Sequence, residues 1–243
     1  MNSRTVTPGI SMRLRAVAIV PSAGLGRRFG KDRNKPFEML GSKPVLIWAI
    51  ETLESMPEIT EIIPVLKEAD MQTGEELFSR HTINKVKRIA QGGKERQDSV
   101  YNGLKHMEDR RSAVLVHDGA RPFLRAETVR KALDALPGYD GVVIGVTPKD
   151  TIKETGGDII SRTLDRDSLI AVQTPQVFYY EPLMDAHEKA QKQSFYGTDD
   201  AALVERYGGR IKVVKGEYTN IKITTPEDLV IAEALLAMEG RGA

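Results

Sequence analysis

The chain has 243 residues, of which 40% are apolar, enough to build one sizeable α/β core. Its 35 basic and 34 acidic residues give a net charge of +1, which does not favour nucleic acid as a partner because duplex-binding proteins usually carry a basic excess. The longest uninterrupted apolar run covers residues 45–50, too short to cross a bilayer, and the absence of cysteine excludes a disulfide framework. These features predict a cytoplasmic protein without a membrane partner.

In chain order, residues 1–13 have the character of a disordered leader, and residues 14–240 are predicted to form one domain. Short β-rich runs alternate there with longer amphipathic segments, a pattern typical of parallel strands joined by crossover helices. Strands are predicted at 15–20, 59–66, 85–90, 113–117 and 141–146, and helices at 43–55, 68–79, 94–107, 125–136 and from residue 225 onward. Ser42 is the predicted N-cap of the first helix, with Pro44 in its first turn.

Residues 148–176 break this alternation, because two strand-like runs at 159–164 and 169–172 follow one another without a helix. Gly156-Gly157 and Asp165-Arg166-Asp167 supply turn residues, so the segment predicts a β-hairpin inserted as a protruding arm over about 148–172. Hairpins that leave a compact domain often serve as dimerisation arms. An ordinary antiparallel edge of the sheet is the alternative interpretation.

A glycine- and arginine-rich loop, Gly24-Leu25-Gly26-Arg27-Arg28, follows the first predicted strand, where open α/β sheets bind ligands. Backbone N–H groups and arginines of such a loop suit phosphate. The loop is neither a Walker motif nor a good dinucleotide fingerprint, since no Gly-Lys-Ser/Thr follows and the expected ribose-binding acid is missing. Lys35-Pro36 adds a lysine close to the loop. A glycine turn with solvated arginines is the alternative.

Several further motifs follow in a characteristic order: Pro21-Ser-Ala-Gly-Leu-Gly-Arg-Arg, Lys35-Pro, Gly92-Gly-Lys-Glu-Arg-Gln-Asp-Ser99-Val, His117-Asp-Gly-Ala-Arg-Pro122, Thr163-Leu-Asp-Arg166, Thr174-Pro-Gln176, Thr198-Asp-Asp-Ala and Asn220-Ile-Lys222-Ile-Thr. Together they resemble the 2-C-methyl-D-erythritol 4-phosphate cytidylyltransferases of the non-mevalonate isoprenoid route, from about residue 15 to 237. The first motif is common to many sugar-nucleotide enzymes, whereas the others are more selective in combination.

The resemblance implies a Rossmann-like, mostly parallel sheet flanked by helices, with a protruding arm, and a homodimer whose arms complete each other's sites. It implies that CTP and the phosphopolyol react, with Mg²⁺, to give a CDP-polyol and pyrophosphate. An acceptor phosphate dianion attacks the α-phosphorus in line, so positioning and charge neutralisation dominate. Phosphate is already ionised near neutral pH, and no general base is needed.

The resemblance also assigns roles to individual residues. Arg28 and Lys35 would stabilise charge on the α-phosphate and the leaving pyrophosphate, while Arg166 and Lys222 would hold the acceptor phosphate. The residues expected at the nucleotide are Ser22, Ala23, Gly24, Gly93, Ser99 and Gly119, and those expected at the acceptor are Asp118, Thr174 and Thr198. The sequence does not identify metal ligands.

Four of these motif positions have a second interpretation. Ser99 falls near the start of a predicted helix and suits a helix-terminal hydroxyl, and Thr198 suits the N-cap of a helix through Ala201. Asp118 suits either the polyol hydroxyls or a position near Mg²⁺. His117 is interpreted as structural, because the reaction needs no base.

The chain departs from the family pattern at two positions. Lys94 stands where an acidic residue is common, so a contribution of this side chain to recognition of the base is in doubt. Pro36 stands where the family usually has glutamine. Three other functions are possible. One is a ribitol-5-phosphate cytidylyltransferase, which differs in the arm and the Thr198 loop, and another is an NAD(P)-dependent oxidoreductase, prompted by the Gly-x-Gly turn. The third is a nucleotide-binding regulatory protein without catalysis, which would not need to retain Arg28, Lys35, Arg166 and Lys222.

Overall fold

A computed structural model describes residues 14–24 and 35–240. The predicted leader and Arg28 lie outside these residues. The strands in them are β1 (Ala16–Pro21), β2 (Met39–Leu40), β3 (Lys43–Pro44), β4 (Ile59–Leu66), β5 (Ala90–Gln91), β6 (Ala113–Val116), β7 (Gly141–Val146), β8 (Lys153–Gly156), β9 (Ile159–Thr163), β10 (Ala171–Tyr179) and β11 (Ile211–Lys215). The α-helices are α1 (Val45–Glu54), α2 (Met71–Arg80), α3 (Arg96–Lys105), α4 (Ala126–Ala135), α5 (Tyr180–Lys192), α6 (Asp200–Arg206) and α7 (Pro226–Met238).

The central sheet has the order β11-β7-β10-β6-β1-β4-β5. Its pairings are parallel except around β10, which runs antiparallel to both β6 and β7. Strand β1 therefore lies between β4 and β6 with all three carboxyl ends at one edge. This mostly parallel, helix-flanked α/β sheet confirms the predicted fold class.

Both faces of the sheet are covered by helices. On β1, Ala16, Ala18 and Val20 pack into a core with helices α1, α2 and α4, while Val17 and Ile19 pack into a core with α3, α5 and α6. Successive side chains of a strand point to opposite faces, and so a strand buried on both sides is apolar at every position. This arrangement explains the uninterrupted Ala-Val-Ala-Ile-Val run.

The predicted helix at 43–55 begins later than expected. Lys43 and Pro44 instead form the short strand β3 opposite β2, and Pro44, not Ser42, occupies the N-cap position. Leu40, Val45 and Trp48 then pack against α7, whose Ala232 and Leu236 are buried. Packing of the β2–β3 ribbon against α7 thus outweighs the local tendency of Ser42 to cap the helix.

The predicted strand at 85–90 is mostly irregular. Only Ala90–Gln91 pairs with β4, and Val86 forms a single bridge with Ile62. This segment lies at the edge of the sheet, where a strand has one neighbour only, and Lys85 donates its Nζ to the Met56 carbonyl oxygen 2.6 Å away.

The inserted hairpin is present, with different strands from those predicted. β8 pairs antiparallel with β9, Gly157 takes φ +64° in the turn, and every side chain of the two strands is exposed. The second predicted run, 169–172, instead leads into β10 of the central sheet. Ala171 and Val172 pair with β7, and this pairing with the central sheet places the end of the run outside the arm.

Candidate functional site

A cleft of about 670 Å³ opens at the carboxyl ends of β1, β4, β5 and β6, where open α/β sheets bind ligands. Its lining residues come from the segments that follow these strands: Pro21, Ser22, Ala23, Gly24, Lys67, Glu68, Gly92, Gly93, Lys94, Glu95, Arg96, Ser99, Asp118 and Ala120. Lys35, Pro36, Lys222 and Thr224 complete the lining. The structure thus brings Lys35, Lys222 and five of the six residues predicted at the nucleotide to one place.

The Gly92–Ser99 loop is fixed by its own hydrogen bonds. Gly93 N–H donates to Ser99 Oγ at 3.1 Å, and Ser99 Oγ donates to the Glu95 carbonyl oxygen at 3.1 Å. A Cβ on Gly93 would collide with the Cβ of Asp98, which forms the capping box of α3 with Glu95. The Ser99 hydroxyl therefore holds the loop in shape beside the cleft, and its contact with the nucleotide stays a prediction.

Gly119 is required by packing. A Cβ at this position would overlap Ser22 Oγ and approach Leu46 Cδ1 to 2.7 Å. The glycine lets the β6 loop lie directly against the β1 loop, which carries Ser22 into the cleft. Its contact with the nucleotide stays a prediction.

Lys35 begins a 3₁₀ turn over Lys35–Phe37 and faces the cleft, with Pro36 buried behind it. The proline that departs from the family pattern is therefore part of the cleft lining and fixes the backbone next to the lysine. Lys94 also lines the cleft. Arg28, the partner predicted for Lys35, lies outside the described residues.

A second, smaller cleft of about 130 Å³ adjoins the first. The two share Arg96, Asp118 and Lys222, and the smaller one is lined in addition by Arg121, Val172, Gln173, Thr174, Gln176, Thr198 and Asp199. The three residues predicted at the acceptor, Asp118, Thr174 and Thr198, therefore meet in one cleft with Lys222.

Asp118 is surrounded by cations. Lys222 Nζ lies 2.7 Å from its Oδ2, Arg96 Nε donates to its Oδ1 at 2.9 Å, and Arg121 Nε is 4.0 Å from Oδ2. Burial alone would raise the pKa of Asp118, but the charges of Arg96 and Lys222 outweigh it and hold the pKa well below its usual range. Asp118 is thus a permanent anion that orients two cations at the junction of the clefts.

Arg96 continues this network to a second buried carboxylate, Asp200, whose Oδ2 accepts from Arg96 Nη1 at 2.8 Å. Burial opposes the charge of Arg96, yet the charges of Asp200 and Asp118 outweigh it and raise its pKa. Burial likewise opposes ionisation of Asp200, and Arg96 together with His187 lowers the pKa of this carboxyl. Sequence reasoning missed Arg96, Arg121 and Asp200, although each lies inside a motif that it had singled out.

His117 is fully buried, and burial lowers its pKa to about 4. Its Nε2 lies 3.1 Å from the Arg121 carbonyl oxygen and its Nδ1 lies 3.2 Å from Thr174 Oγ1. A neutral ring with a proton on Nε2 satisfies both contacts, because Thr174 can then donate to Nδ1. Thr174 Oγ1 also accepts from the Asp118 N–H at 3.0 Å, so His117 helps to fix the smaller cleft, as its structural interpretation predicted.

Thr198 lies at the smaller cleft but does not cap α6. Asp199 is the N-cap, accepting from the Ala202 N–H at 2.9 Å, and Gln176 Nε2 donates to its Oδ2 at 2.7 Å. The aspartate one residue later outcompetes the threonine because its second oxygen also satisfies Gln176. Thr198 is therefore left to line the cleft.

Arg166 is the one predicted catalytic residue in the described ranges that the structure places away from both clefts. It lies in a 3₁₀ turn at the base of the arm, is exposed, and donates to the Lys149 carbonyl oxygen at 3.0 Å. Within one chain, Lys222 and Arg166 are not brought together.

The described residues contain no group of three or more potential metal ligands. The two oxygens of Asp118, the acid that lines both clefts, are occupied by Arg96 and Lys222. The donors therefore do not fit a protein-held metal site. In the same part of the chain, no helix is long and apolar enough to span a membrane.

Comparison with known proteins identifies the chain by family. The model of the family described as IspD, 2-C-methyl-D-erythritol 4-phosphate cytidylyltransferase, matches residues 16–238. Proteins of that name from Geobacillus thermodenitrificans and Geotalea uraniireducens are 45% and 41% identical over 220 and 226 residues, covering 90% and 92% of this chain and 96% and 97% of theirs.

Solved structures agree. The 4-diphosphocytidyl-2C-methyl-D-erythritol synthase of Anaerococcus prevotii is similar with a TM-score of 0.82 at 33% identity, covering 92% of this chain and 96% of that one. The 2-C-methyl-D-erythritol 4-phosphate cytidylyltransferase of Thermus thermophilus gives a TM-score of 0.74 at 30% identity, covering 93% and 100%. The chain therefore belongs to the 2-C-methyl-D-erythritol 4-phosphate cytidylyltransferase family.

Proposed function

We propose that this protein transfers the cytidylyl group of CTP to 2-C-methyl-D-erythritol 4-phosphate, giving 4-diphosphocytidyl-2-C-methyl-D-erythritol and pyrophosphate for isoprenoid precursor synthesis. The observation that carries the proposal is the pair of adjoining clefts with Arg96, Asp118 and Lys222 at their junction. A reaction that joins a nucleotide to a small phosphorylated acceptor requires two neighbouring sites and a cationic boundary between them.

The larger cleft is assigned to CTP. The loops after β1 and β5 offer main chain and small side chains for close approach, and Lys35 supplies charge for a polyphosphate. The smaller cleft is assigned to the acceptor, because the Thr198 hydroxyl suits a polyol and Arg96, Arg121 and Lys222 supply charge for its phosphate.

In the reaction, an oxygen of the acceptor phosphate attacks the α-phosphorus of CTP and forms the new P–O bond. The bond from that phosphorus to the oxygen bridging to the β-phosphorus breaks, and pyrophosphate leaves with the electron pair. Lys222, oriented by Asp118, lies where the two anions meet and reduces their repulsion. Lys35 stabilises charge on the departing side, and no proton has to be removed from the acceptor.

Mg²⁺ is proposed to arrive with CTP, since this ion usually keeps several waters and binds substrate phosphates rather than an all-protein cage. When bound, it would neutralise phosphate charge.

A homodimer in which the arm reaches the partner's clefts is also part of the proposal. Support comes from the exposure of the arm, whose Ile159 and Ile160 are 75% and 58% exposed, and from the position of Arg166 outside the clefts of its own chain. In this arrangement Arg166 would hold the acceptor phosphate of the partner's site. The cytoplasmic location stays a prediction from the sequence.

The test measures pyrophosphate release by the purified protein from CTP with 2-C-methyl-D-erythritol 4-phosphate, ribitol 5-phosphate or no acceptor. We expect release with the first acceptor only. Faster release with ribitol 5-phosphate would instead indicate a ribitol-5-phosphate cytidylyltransferase. Family membership argues against the NAD(P)-dependent oxidoreductase.

The same assay tests nucleotide choice. A buried polar group left unpaired costs about 1–3 kcal/mol, so a site matched to cytosine should use UTP at least about tenfold less well than CTP. Equal use of both nucleotides would contradict a base-selective site and would direct attention to Lys94, which lines the cleft where the family usually has an acid.

A further inference from the structure

We propose that Asp200 is a positioning residue of the transfer reaction, acting on Lys222 through Arg96 and Asp118. The inference rests on the proposed function, since it concerns the cation at the junction of the two clefts. Asp200 does not line either cleft, and its side chain is only 1% exposed. Any effect of this carboxylate on the reaction must therefore pass through other residues.

A continuous path of ion pairs supports this proposal. Asp200 Oδ2 accepts from Arg96 Nη1 at 2.8 Å, Arg96 Nε donates to Asp118 Oδ1 at 2.9 Å, and Lys222 Nζ contacts Asp118 Oδ2 at 2.7 Å. Three helices and two loops contribute to this path, because His187 of α5 also lies 3.3 Å from Asp200 Oδ1. The path connects the interior of the molecule to the cleft.

Two carboxylates on one guanidinium fix its orientation. Arg96 meets Asp118 through Nε and Asp200 through Nη1, and the planar, rigid donor fork cannot rotate without losing one of them. With Arg96 fixed, Oδ1 of Asp118 is held and Oδ2 is aimed at Lys222. A site works only when such supporting contacts hold its groups in the productive geometry.

The position of Asp200 is itself fixed from neighbouring elements. It opens α6 directly after the N-cap Asp199, which Gln176 of β10 holds at 2.7 Å. Gln176 Oε1 accepts from the Ala201 N–H at 3.2 Å on the other side. The segment that carries Thr198 to the acceptor cleft is therefore the same segment that orients Arg96, which couples acceptor binding to the placement of Lys222.

The test is a double-mutant cycle between Asp200 and Lys222, which do not contact one another. Asp200→Asn preserves the side-chain volume and removes the charge. Because a misplacement of about 1 Å caused by a mutation away from the chemistry can lower a rate about 10²-fold, we expect kcat/KM for 2-C-methyl-D-erythritol 4-phosphate to fall about 10-fold or more. In a Lys222→Ala background the same change should lower kcat/KM by less than about threefold, because the cation that Asp200 positions is gone.

Independent effects that multiply in the double variant would overturn the proposal, since a merely structural role of Asp200 would not depend on Lys222. If Asp200→Asn fails to fold in thermal unfolding, the cycle is run with Arg96→Lys, which retains the charge but loses the fork. Equal effects of Arg96→Lys with and without Lys222 would likewise overturn it.

Glu58→Gln is the matched control. Glu58 is a buried carboxylate paired with Arg130 Nε at 2.8 Å. It directly precedes β4 and so lies at the amino end of this strand, whereas the clefts lie at the carboxyl ends. Loss of this charge is expected to lower stability and to leave kcat and KM unchanged. Pyrophosphate release by the wild-type protein is measured in parallel: its absence would reject the proposed function, whereas an active wild type with multiplicative effects would reject the positioning role alone.

Discussion

Lys35 and Lys222 reach the clefts from opposite ends of the chain, and in the proposed reaction they supply the charge compensation that two reacting anions require. Asp118 orients Lys222, and its own charge is secured by Arg96. An isolated buried carboxylate would protonate, but one held between cations stays ionised. The side chains at the junction thus form a mainly cationic boundary that is held by ion pairs.

The Lys35→Ala variant tests this compensation directly. Removing one preorganised donor of charge to a transition state should lower kcat by about 10²–10³, and Arg28→Ala is expected to have the same effect. Stability should change little, because Lys35 faces an open cleft. Lys131→Ala is the control: its Nζ pairs with Glu127 on the surface of α4, and activity should be unchanged. A drop under about threefold in folded Lys35→Ala would remove this lysine from the mechanism.

His117 predicts a pH dependence of stability. Its pKa is about 4 in the folded protein, against 6.5 for an unperturbed histidine, because burial disfavours the imidazolium. Between these values the unfolded chain binds more protons than the folded one, so the free energy of unfolding decreases as the pH falls.

The expected loss from this residue is about 2 kcal/mol between about pH 7 and about pH 5. His117→Gln, which offers a donor without a titrating ring, should be less stable at neutral pH and lack this part of the dependence. Urea unfolding of both proteins at the two pH values measures the difference. An equal loss in the two proteins would show that His117 does not titrate in this range.

Elements with strong periodicity and clear breaks were predictable from the sequence. The strands at 59–66 and 141–146 are confirmed with the predicted bounds, because each is a short β-rich run bounded by turn-forming or polar residues. The helix predicted at 94–107 is confirmed, but it is shorter at both ends. It begins at Arg96, where the Glu95–Asp98 capping box starts it, and ends at Lys105. The local sequence was sufficient to predict elements whose boundaries are set by their own residues.

Elements that depend on distant partners were not predictable. The run at 169–172 reads as half of a hairpin, yet pairing of Ala171 and Val172 with β7 incorporates its end into β10. Within β10 the ladder to β7 is irregular between Gln173 and Gln176, which allows Thr174 to turn its hydroxyl to the Asp118 N–H. Irregular pairing next to active sites often re-aims a side chain in this way.

The residues of the candidate site were likewise predictable only in part. Ser22 and Asp118 were predictable from the family resemblance of their motifs, and the structure places both at the carboxyl ends of parallel strands. Arg96 and Asp200 were missed since each takes its role from the other, 104 residues apart in the chain. No local pattern marks such a pair.

At the scale of the whole molecule, two of the proposed catalytic residues, Lys35 and Arg166, lie in different parts of the chain's structure. Lys35 lies at the nucleotide cleft, whereas Arg166 lies at the base of the exposed β8–β9 hairpin and outside both clefts of its own chain. If the arms cross in a two-fold symmetric dimer, each site combines Lys35 of one protomer with Arg166 of the other.

Mixed dimers test this arrangement. Lys35→Ala and Arg166→Ala homodimers should each be nearly inactive, because every site in them lacks one cation. Random subunit exchange makes about half of the dimers mixed, each with one intact and one doubly defective site, so activity should recover to about a quarter of the wild-type value. Exchange is verified with two differently tagged chains, and each variant incubated alone is the control. Confirmed exchange without recovery would mean that Arg166 acts within its own chain, and the crossed-arm dimer would then be rejected.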